Sequence, residues 1–310
     1  MAPARNVAQD VVLYGLTRFF LGLLGALPLA FARKLVIALG RVALALLPRL
    51  HRVGREQLDA VYGDTLSNEA KQQILRDAMD NISIVAAEFA HGPRLREHGF
   101  PGLLIEGIEH VDQSRGGIMI SAHQGNWEWL AGACSRGIPK FLIVARPLNY
   151  PPMDALVERE REAIGFKTIP KVGAAKRLYE ALADGWQVGI MVDQCPRERG
   201  VPTTFLGREC WSTIGPAMIA AKAKVPVHFV SMYRQPDGSY ICNISPALTL
   251  VDTGNALDDL QRNTQMFQDE AEKRVRLFPG QWLWFHRRWK QRPQLAKEWA
   301  ERVAQAADKG

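Results

Sequence analysis

Residues 118–129 read IMISAHQGNWEW, and this stretch decides the fold. The apolar run that ends at Ala122 has the length and composition of a short buried strand. Gly125 is typical of a turn, and the residues from Trp127 onward fit a helix. A strand, a turn and a helix in immediate succession indicate an α/β domain in which His123 lies at the carboxyl end of a strand.

The spacing between His123 and Glu128 bears on their chemistry. On one continuous helix, five residues would separate the two side chains by about 140°. Because Gly125 predicts a turn between them, we expect His123 on the loop and Glu128 in the first helical turn, where the carboxylate can reach back to the imidazole. The pattern predicts a base oriented by an acid, close to a helix N-terminus that favours negative charge. The alternative is a histidine and a glutamate that merely complete a strand–helix connection.

Alternating strand and helix patterns continue along the chain on both sides of this stretch. The turn Pro236-Asp237-Gly238 predicts a hairpin. We expect strands at 103–105, 118–122, 141–145, 188–192, 227–233 and 240–244, and helices at 55–63, 67–89, 127–136, 153–164, 174–183, 213–223, 256–277 and 294–307. The sequence therefore predicts an α/β fold with a mixed central sheet flanked by helices.

Composition excludes several classes of protein. The chain has 310 residues, of which 47% are hydrophobic, so it can bury a sizeable core and is neither disordered nor collagen-like. Its four cysteines show no CxxC pair and no short framework, which indicates reduced thiols in a cytosolic catalytic body. The histidines show no spacing typical of metal ligands, and there is no nucleotide-binding loop. We therefore expect no metal and no nucleotide cofactor.

The excess charge of +7 is concentrated near the N-terminus. Residues 1–55 contain eight basic residues and one acidic residue, whereas the remaining 255 residues contain equal numbers of both. A protein that binds nucleic acid would usually spread its positive charge over the folded domain, so we expect no nucleic-acid partner. The chain divides into an apolar, basic, membrane-associating helical segment at 1–55 and a catalytic domain at 56–310.

Two apolar stretches of the N-terminal segment favour a membrane surface. Residues 19–32 form an uncharged run of 14 residues, and a second stretch spans 35–48. Neither reaches the roughly 20 residues that a spanning helix needs, which favours an interfacial helical hairpin broken near Pro28. A single span with Arg18 at the head groups and a buried helix pair are the alternatives. Flanking basic residues favour anionic lipid and mark the cytoplasmic side. The expected membrane contacts are Arg18, Phe19, Phe20, Arg33 and Lys34.

The stretch around His123 resembles the H-x4-[DE] acyltransferase motif, in the H-x-GNWE form of the late acyltransferases of bacterial lipid A synthesis. Further blocks of that family occur in the same order along the chain: RPLN at 146–149, REAIG at 161–165, VDQ at 192–194, FLGR at 205–208 and QWLWFHRRWK at 281–290. The glycerolipid branch of the superfamily usually has Asp at the position of Glu128 and a later FPEGTR-like block, which this chain lacks.

The resemblance implies transfer of a fatty acyl chain from a thioester carrier to a hydroxyl of a membrane lipid, with no covalent enzyme intermediate required. His123 would take the hydroxyl proton as general base, and Glu128 would fix its tautomer. The co-substrate would be acyl-acyl carrier protein or acyl-coenzyme A, and the acceptor a lipid A-type glycolipid. The location would be the bacterial inner membrane, with the catalytic domain on the cytoplasmic face. The alternatives are a same-fold acyltransferase for another lipid (a lysophospholipid, an aminolipid or a polyene) and a non-catalytic basic peripheral membrane protein.

Six further residues are candidates for substrate binding. The resemblance places a functional arginine four residues before Gly165, so the fork of Arg161 would hold a phosphate of the acceptor or of the carrier. The alternative is an exposed charge within a charged helical run. Arg146 follows one predicted strand, and Asp193 and Gln194 follow another, where open sheets bind ligands. The alternative for Asp193 is that it caps a turn. The six residues are Arg146, Asn149, Arg161, Asp193, Gln194 and Arg208.

Overall fold

The computed structural model describes residues 7–100, 102–171, 173 and 175–307. Four helices come first, and helices and strands follow. The helices are α1 (Val7–Ala26), α2 (Leu29–Leu46), α3 (Pro48–Tyr62), α4 (Asn68–His98), α5 (Trp127–Gly137), α6 (Pro151–Ile164), α7 (Ala175–Ala183), α8 (Gly215–Ala223), α9 (Ala256–Leu277) and α10 (Pro293–Ala307). The strands are β1 (Leu103–Glu106), β2 (Gly117–Ser121), β3 (Phe141–Ala145), β4 (Lys167–Pro170), β5 (Gln187–Met191), β6 (Gly200–Phe205), β7 (Arg208–Thr213), β8 (Val227–Arg234) and β9 (Tyr240–Ile244).

Seven of these strands form one mixed sheet in the order β1-β9-β8-β2-β5-β3-β4. Its neighbouring strands are parallel except for β8 and β9. Those two are antiparallel because the short turn at Pro236–Gly238 connects them directly, whereas parallel strands need a longer crossover. The prediction of an α/β fold with a mixed, helix-flanked sheet is confirmed.

The sequence patterns did not predict three of the strands. β4 is a short edge strand that ends in proline, a residue that sheets accept mainly at their edges. β6 and β7 form a separate antiparallel hairpin, and polar and charged residues interrupt its apolar pattern. Leu206 and Gly207 both have positive φ at its turn, which is typical of a two-residue hairpin loop.

The central strand β2 is buried along its whole length. Because successive side chains of a strand face opposite sides, Ile118 and Ile120 pack into one cluster, which contains Trp282 and Trp284 of the C-terminal region. Met119 packs into the other cluster, with Trp129 of α5. β2 is therefore packed on both faces of the sheet, and the loop that follows it starts from a fixed position.

The first two helices are separated near Pro28, as predicted. α2 packs along α4, where Ala32, Val36 and Leu44 are buried, while α1 exposes many apolar side chains. No helix among the described residues combines the length and the apolar character needed to cross a membrane.

The five predicted membrane contacts divide into two groups. Four of them are exposed: Arg18, Phe19, Phe20 and Lys34. Arg33 instead forms an ion pair at 2.6 Å with Glu88 of α4, a side chain with no exposed surface. The expectation for Arg33 is therefore corrected: because α2 packs on α4, the residue that follows buried Ala32 turns its charge toward the protein.

Candidate active site

The site is built on the loop between β2 and α5. Asn126 is the N-cap of α5, and its side-chain oxygen accepts a hydrogen bond from the backbone N–H of Trp129. Gly125 has a φ of +59°, and a Cβ there would lie 1.8 Å from the backbone oxygen of Met232. Only glycine fits at this close approach of two backbones. The chain thus turns sharply after β2 and leaves His123 at the carboxyl edge of the sheet.

The imidazole of His123 pairs with Asp193. Nδ1 of His123 lies 2.8 Å from Oδ1 of Asp193, and the backbone N–H of His123 donates to Oδ2 at 2.9 Å. Asp193 follows β5, the parallel neighbour of β2, and the carboxyl ends of parallel neighbours meet at one edge of the sheet. Because a carboxylate only accepts hydrogen bonds, Nδ1 carries the proton and Nε2 keeps a lone pair for a reacting group.

The protein holds Asp193 as a buried anion. Its side chain has no exposed surface, and the indole N–H of Trp282 donates to Oδ2 at 2.8 Å. Burial raises the pKa of Asp193, but the charge and hydrogen bond of His123 outweigh burial and hold the pKa well below its usual range. For His123 burial has the opposite sign and lowers the pKa. The charge and hydrogen bond of Asp193 outweigh burial and raise the pKa of His123 above its ordinary value.

Glu128 has a different partner from the one that the sequence predicted. Its carboxylate accepts two hydrogen bonds from Arg161 of α6, at 2.9 and 3.1 Å. The predicted contact between Glu128 and the imidazole is therefore wrong, because Asp193 occupies Nδ1 and the first turn of α5 faces α6. Glu128 still lies close enough for its negative charge to raise the pKa of His123.

Arg161 is held between two carboxylates. Besides its paired bonds to Glu128, its Nη1 donates to Glu158 at 3.1 Å. Burial disfavours the guanidinium charge, but the hydrogen bonds and charge of Glu128 outweigh it and raise the pKa of Arg161. Arg161 is therefore not a solvated helix-face charge. The phosphate-binding role that the resemblance implies for it stays a prediction.

The remaining predicted substrate-binding residues lie on the surface. Arg146 and Asn149 follow β3, and Gln194 follows Asp193; all three are exposed at the carboxyl edge of the sheet. Arg208 begins β7 and donates to the backbone oxygen of Ala60 in α3, at 2.8 Å. The structure thus places Arg208 in a contact between the hairpin and α3, and Asp193 in the role of partner to the histidine.

Two residues of the C-terminal block were not predicted to belong to the site. Trp282 is buried in the core, and its indole N–H donates to Asp193. His286 donates from Nδ1 to the backbone oxygen of Leu283 at 2.7 Å, and the N–H of Leu283 donates to the backbone oxygen of His123. Burial lowers the pKa of His286. The signal for both was their position in the block at 281–290.

An apolar cavity lies next to Trp127, an aromatic neighbour of His123. It has a volume of about 30 Å³ and lies between the sheet and α5. Trp127 lines it and also contacts the imidazole of His123, with ring centroids 5.5 Å apart. Its other apolar wall residues include Met119, Leu130, Phe141, Ile143 and Val230.

Comparison with known proteins identifies the family. The sequence model of the bacterial lipid A biosynthesis acyltransferases matches residues 5–291. The chain belongs to this family. The predicted family is thereby confirmed.

The chain is also similar to two individual proteins, at low sequence identity. The phosphatidylinositol mannoside acyltransferase of Mycolicibacterium smegmatis is 25% identical over 203 residues, which cover 62% of this chain and 65% of that protein. Among solved structures, the 1-acyl-sn-glycerophosphate acyltransferase of Thermotoga maritima aligns with a TM-score of 0.37 and 16% identity, over 78% of this chain and 97% of that chain.

Proposed function

We propose that this family member transfers a fatty acyl chain from a thioester donor to a hydroxyl of a lipid A-type glycolipid. The observation that carries the proposal is the pairing of His123 with the buried anion of Asp193, which leaves Nε2 as a proton acceptor. Trp127, which contacts the imidazole, also lines an apolar cavity. Family membership supports the reaction type and favours this acceptor. The donor would be acyl-acyl carrier protein or acyl-coenzyme A, and the chemistry needs no metal or further cofactor.

The reaction follows from this pairing. Nε2 of His123 takes the proton of the acceptor hydroxyl while the oxygen attacks the thioester carbonyl. The tetrahedral intermediate then collapses, the carbon–sulfur bond breaks, and the departing thiolate receives the proton from the imidazolium. Asp193 stabilises the imidazolium between these steps. General base catalysis of this kind contributes roughly 10²–10⁴-fold.

Glu128 and Arg161 are bonded to each other and influence His123 through their charges. Their bidentate bond fixes α5 against α6, and the two charges lie near enough to His123 to influence its pKa. In this proposal the N–H groups of Arg161 that are bonded neither to Glu128 nor to Glu158 are available for a phosphate of the donor or acceptor. An acyl chain would lie along the apolar wall that begins at Trp127, where each buried CH₂ gains about 0.8 kcal/mol.

A mannosylated phosphoinositide is the second candidate acceptor. It is favoured by the similarity to the phosphatidylinositol mannoside acyltransferase. Both candidate acceptors are glycolipids that offer a hydroxyl, so the same histidine chemistry serves either.

The test is transfer of a radiolabelled acyl group by the full-length protein. We expect a lipid A precursor in detergent to gain the mass of one acyl chain, and His123→Ala to lower the rate at least about 10²-fold because the proton acceptor is gone. His98→Ala is the matched control, since His98 is exposed on α4. A mass gain on the mannosylated lipid alone would select the second candidate, and full activity of His123→Ala would contradict the mechanism.

Membrane association is part of the proposal. α1 exposes Val12, Leu16, Phe19 and Phe20 along its length, and exposed Arg18 lies among them. Such a surface would lie in the interface of an anionic membrane. In this proposal that membrane is the bacterial inner membrane, with the catalytic domain on its cytoplasmic face.

The membrane test is sedimentation with vesicles that contain anionic lipid. Replacing Phe19 and Phe20 with Ser should release much of the protein. Leu277→Ser, a control on α9 that removes an apolar side chain about as exposed as Phe19, should release little. Salt should weaken binding only in part, because screening leaves the apolar contribution intact. Unchanged sedimentation of the double variant would place the anchor elsewhere.

A further inference from the structure

A buried carboxylate other than Asp193 contacts the active-site loop at Asn126. Glu88 of α4 has no exposed surface. Its Oε2 accepts hydrogen bonds from Asn126 Nδ2 at 2.5 Å, Tyr240 Oη at 2.6 Å and Arg234 Nη2 at 3.3 Å. Its Oε1 forms the ion pair with Arg33. A buried charge with this many partners is held in one position.

The first consequence concerns Asn126, which is itself completely buried. Because a carboxylate only accepts hydrogen bonds, Glu88 requires the NH₂ group of Asn126 on its side. The amide oxygen of Asn126 therefore points the other way, where it caps the N–H of Trp129. Glu88 thus orients Asn126, the N-cap of α5, and α5 is the helix that carries Glu128.

The second consequence runs through Arg234 of β8. Its Nη1 donates to Oδ1 of Asn81 at 2.8 Å, and Nδ2 of Asn81 donates to the backbone oxygen of Gly125 at 2.9 Å. Glu88 therefore reaches two consecutive residues of the loop by two routes: Asn126 directly, and Gly125 by way of Arg234 and Asn81. His123 lies two residues before Gly125.

The third consequence concerns the N-terminal helices. Arg33 belongs to α2, 55 positions before Glu88, and supplies a positive charge to Oε1, whereas Asn126 is bonded to Oε2. A buried carboxylate that loses one of its cationic partners is poorly compensated. α2, which follows the exposed helix α1 in the chain, therefore contributes a charge that supports the active-site loop.

We propose that Glu88 is a positioning residue for acyl transfer: it holds the loop from His123 to Glu128 in place through Asn126 and Arg234, with Arg33 as its counter-ion from α2. The kinetic consequence rests on the proposed function. The mechanical consequence, a loop that loosens when Glu88 is changed, does not depend on it.

The first experiment compares Glu88→Gln with Lys71→Met. Lys71 is the matched control because it is also buried on α4 and forms an ion pair at 2.8 Å, with Asp59 of α3. Both variants should lower Tm. Only Glu88→Gln should lower kcat, by about 10-fold or more with KM changed less than about 3-fold, because a small displacement of reacting groups is costly. Equal kcat in the two variants would overturn the proposal.

Amide hydrogen exchange of the free protein provides a readout that needs no substrate. Glu88→Gln should increase exchange at the N–H groups of Gly125 and Trp129, which are bonded to Gln281 and Asn126, and Lys71→Met should not. Unchanged exchange at both positions would overturn the inference even if kcat fell. If wild-type protein transferred no acyl group to either lipid, the proposed function would fail, and exchange would still decide whether Glu88 holds the loop.

The counter-ion is tested with Arg33→Met and Arg41→Met. Arg41 is the control because it also lies on α2 and pairs with an acid of α4, Asp80, but is exposed. Arg33→Met should raise amide exchange in the loop and lower kcat, as Glu88→Gln does, but by less because Arg234 remains.

A double variant tests the contact between Glu88 and Asn126. Glu88→Gln combined with Asn126→Ala should lower kcat by less than the product of the two single fold-decreases, since both changes break the same connection. Full additivity would show that Glu88 does not act through Asn126.

Discussion

The two acid–base pairs of the site differ in how the chain brings them together. His123 and Asp193 come from neighbouring parallel strands and are 70 positions apart, whereas Glu128 and Arg161 come from two helices packed side by side. His123 and Glu128 are close in sequence but belong to different pairs. Proximity along the chain therefore indicated the motif correctly but indicated the wrong partner for the imidazole.

The comparison also separates two chemical tasks. Asp193 is completely buried and accepts three hydrogen bonds from His123 and Trp282, so it controls the tautomer and the charge of the imidazole. Glu128 and Arg161 neutralise each other at the edge of the site and act on His123 only through space. Variants of the first pair should therefore affect the rate more than variants of the second pair.

The largest effect is expected for Asp193→Asn. The amide has nearly the same shape, but it removes the anion that stabilises the imidazolium and permits the wrong tautomer, so kcat should fall about 10²–10⁴-fold. Asp184→Asn, an exposed residue after α7, is the control. Steady-state kinetics with detergent-dispersed acceptor would measure both, and a loss below 5-fold for Asp193→Asn would remove Asp193 from the mechanism.

A smaller loss is expected for Glu128→Ala. Arg161 then loses two charge-assisted bonds, each worth about 1.5–3 kcal/mol in comparable settings, and part of the loss reaches the rate, giving a decrease of about 10- to 10²-fold. Glu128→Asp should retain more activity, since the charge is kept with a shorter reach. Exposed Glu162 of the same region provides the control Glu162→Ala. If Glu128→Ala were as damaging as Asp193→Asn, the two pairs would not be separate.

Arg161→Lys tests the fork of the second pair. A lysine keeps the charge but cannot donate two parallel hydrogen bonds to Glu128, so a loss of about 3- to 10-fold is expected. Arg159→Lys is the control, because Arg159 lies on the same helix and is exposed. Separate KM values for donor and acceptor would show whether Arg161 also contacts a phosphate. Equal kinetics of Arg161→Lys and Arg159→Lys would show that the paired hydrogen bonds of the Arg161 guanidinium do not contribute to the rate.

The smallest effect is a change in pH dependence. A general base is active when unprotonated, so kcat/KM should rise with pH through the pKa of His123, which lies above the ordinary value of 6.5. Both acids raise that pKa, Asp193 more than Glu128. Glu128→Gln should therefore move the acidic limb to lower pH, Asp193→Asn should move it further, and Glu162→Gln should leave it in place. A limb that moved upward in Glu128→Gln would contradict this electrostatic assignment.

The sequence predicted those parts of the site that depend on local pattern. The buried strand before His123, the turn at Gly125 and the helix from Trp127 were predicted because an apolar run, a glycine and a helical pattern follow each other directly. The turn at Pro236–Gly238 and the break near Pro28 were predicted for the same reason. The hairpin of β6 and β7 was not, because its stability comes from packing: Phe205 contacts Trp282 and Trp289, far along the chain.

What the sequence by itself determined is the strand–loop–helix unit, the position of His123 at a strand end, and the family that its ordered blocks indicate. The tertiary structure alone decided which acid reaches the imidazole, because β5 becomes the neighbour of β2 only in the assembled sheet. It also decided that Arg33 faces Glu88 rather than lipid, since that depends on how α2 packs on α4. A local pattern specifies the backbone of its own residues, whereas a buried charge takes its partner from whichever element the completed fold places beside it.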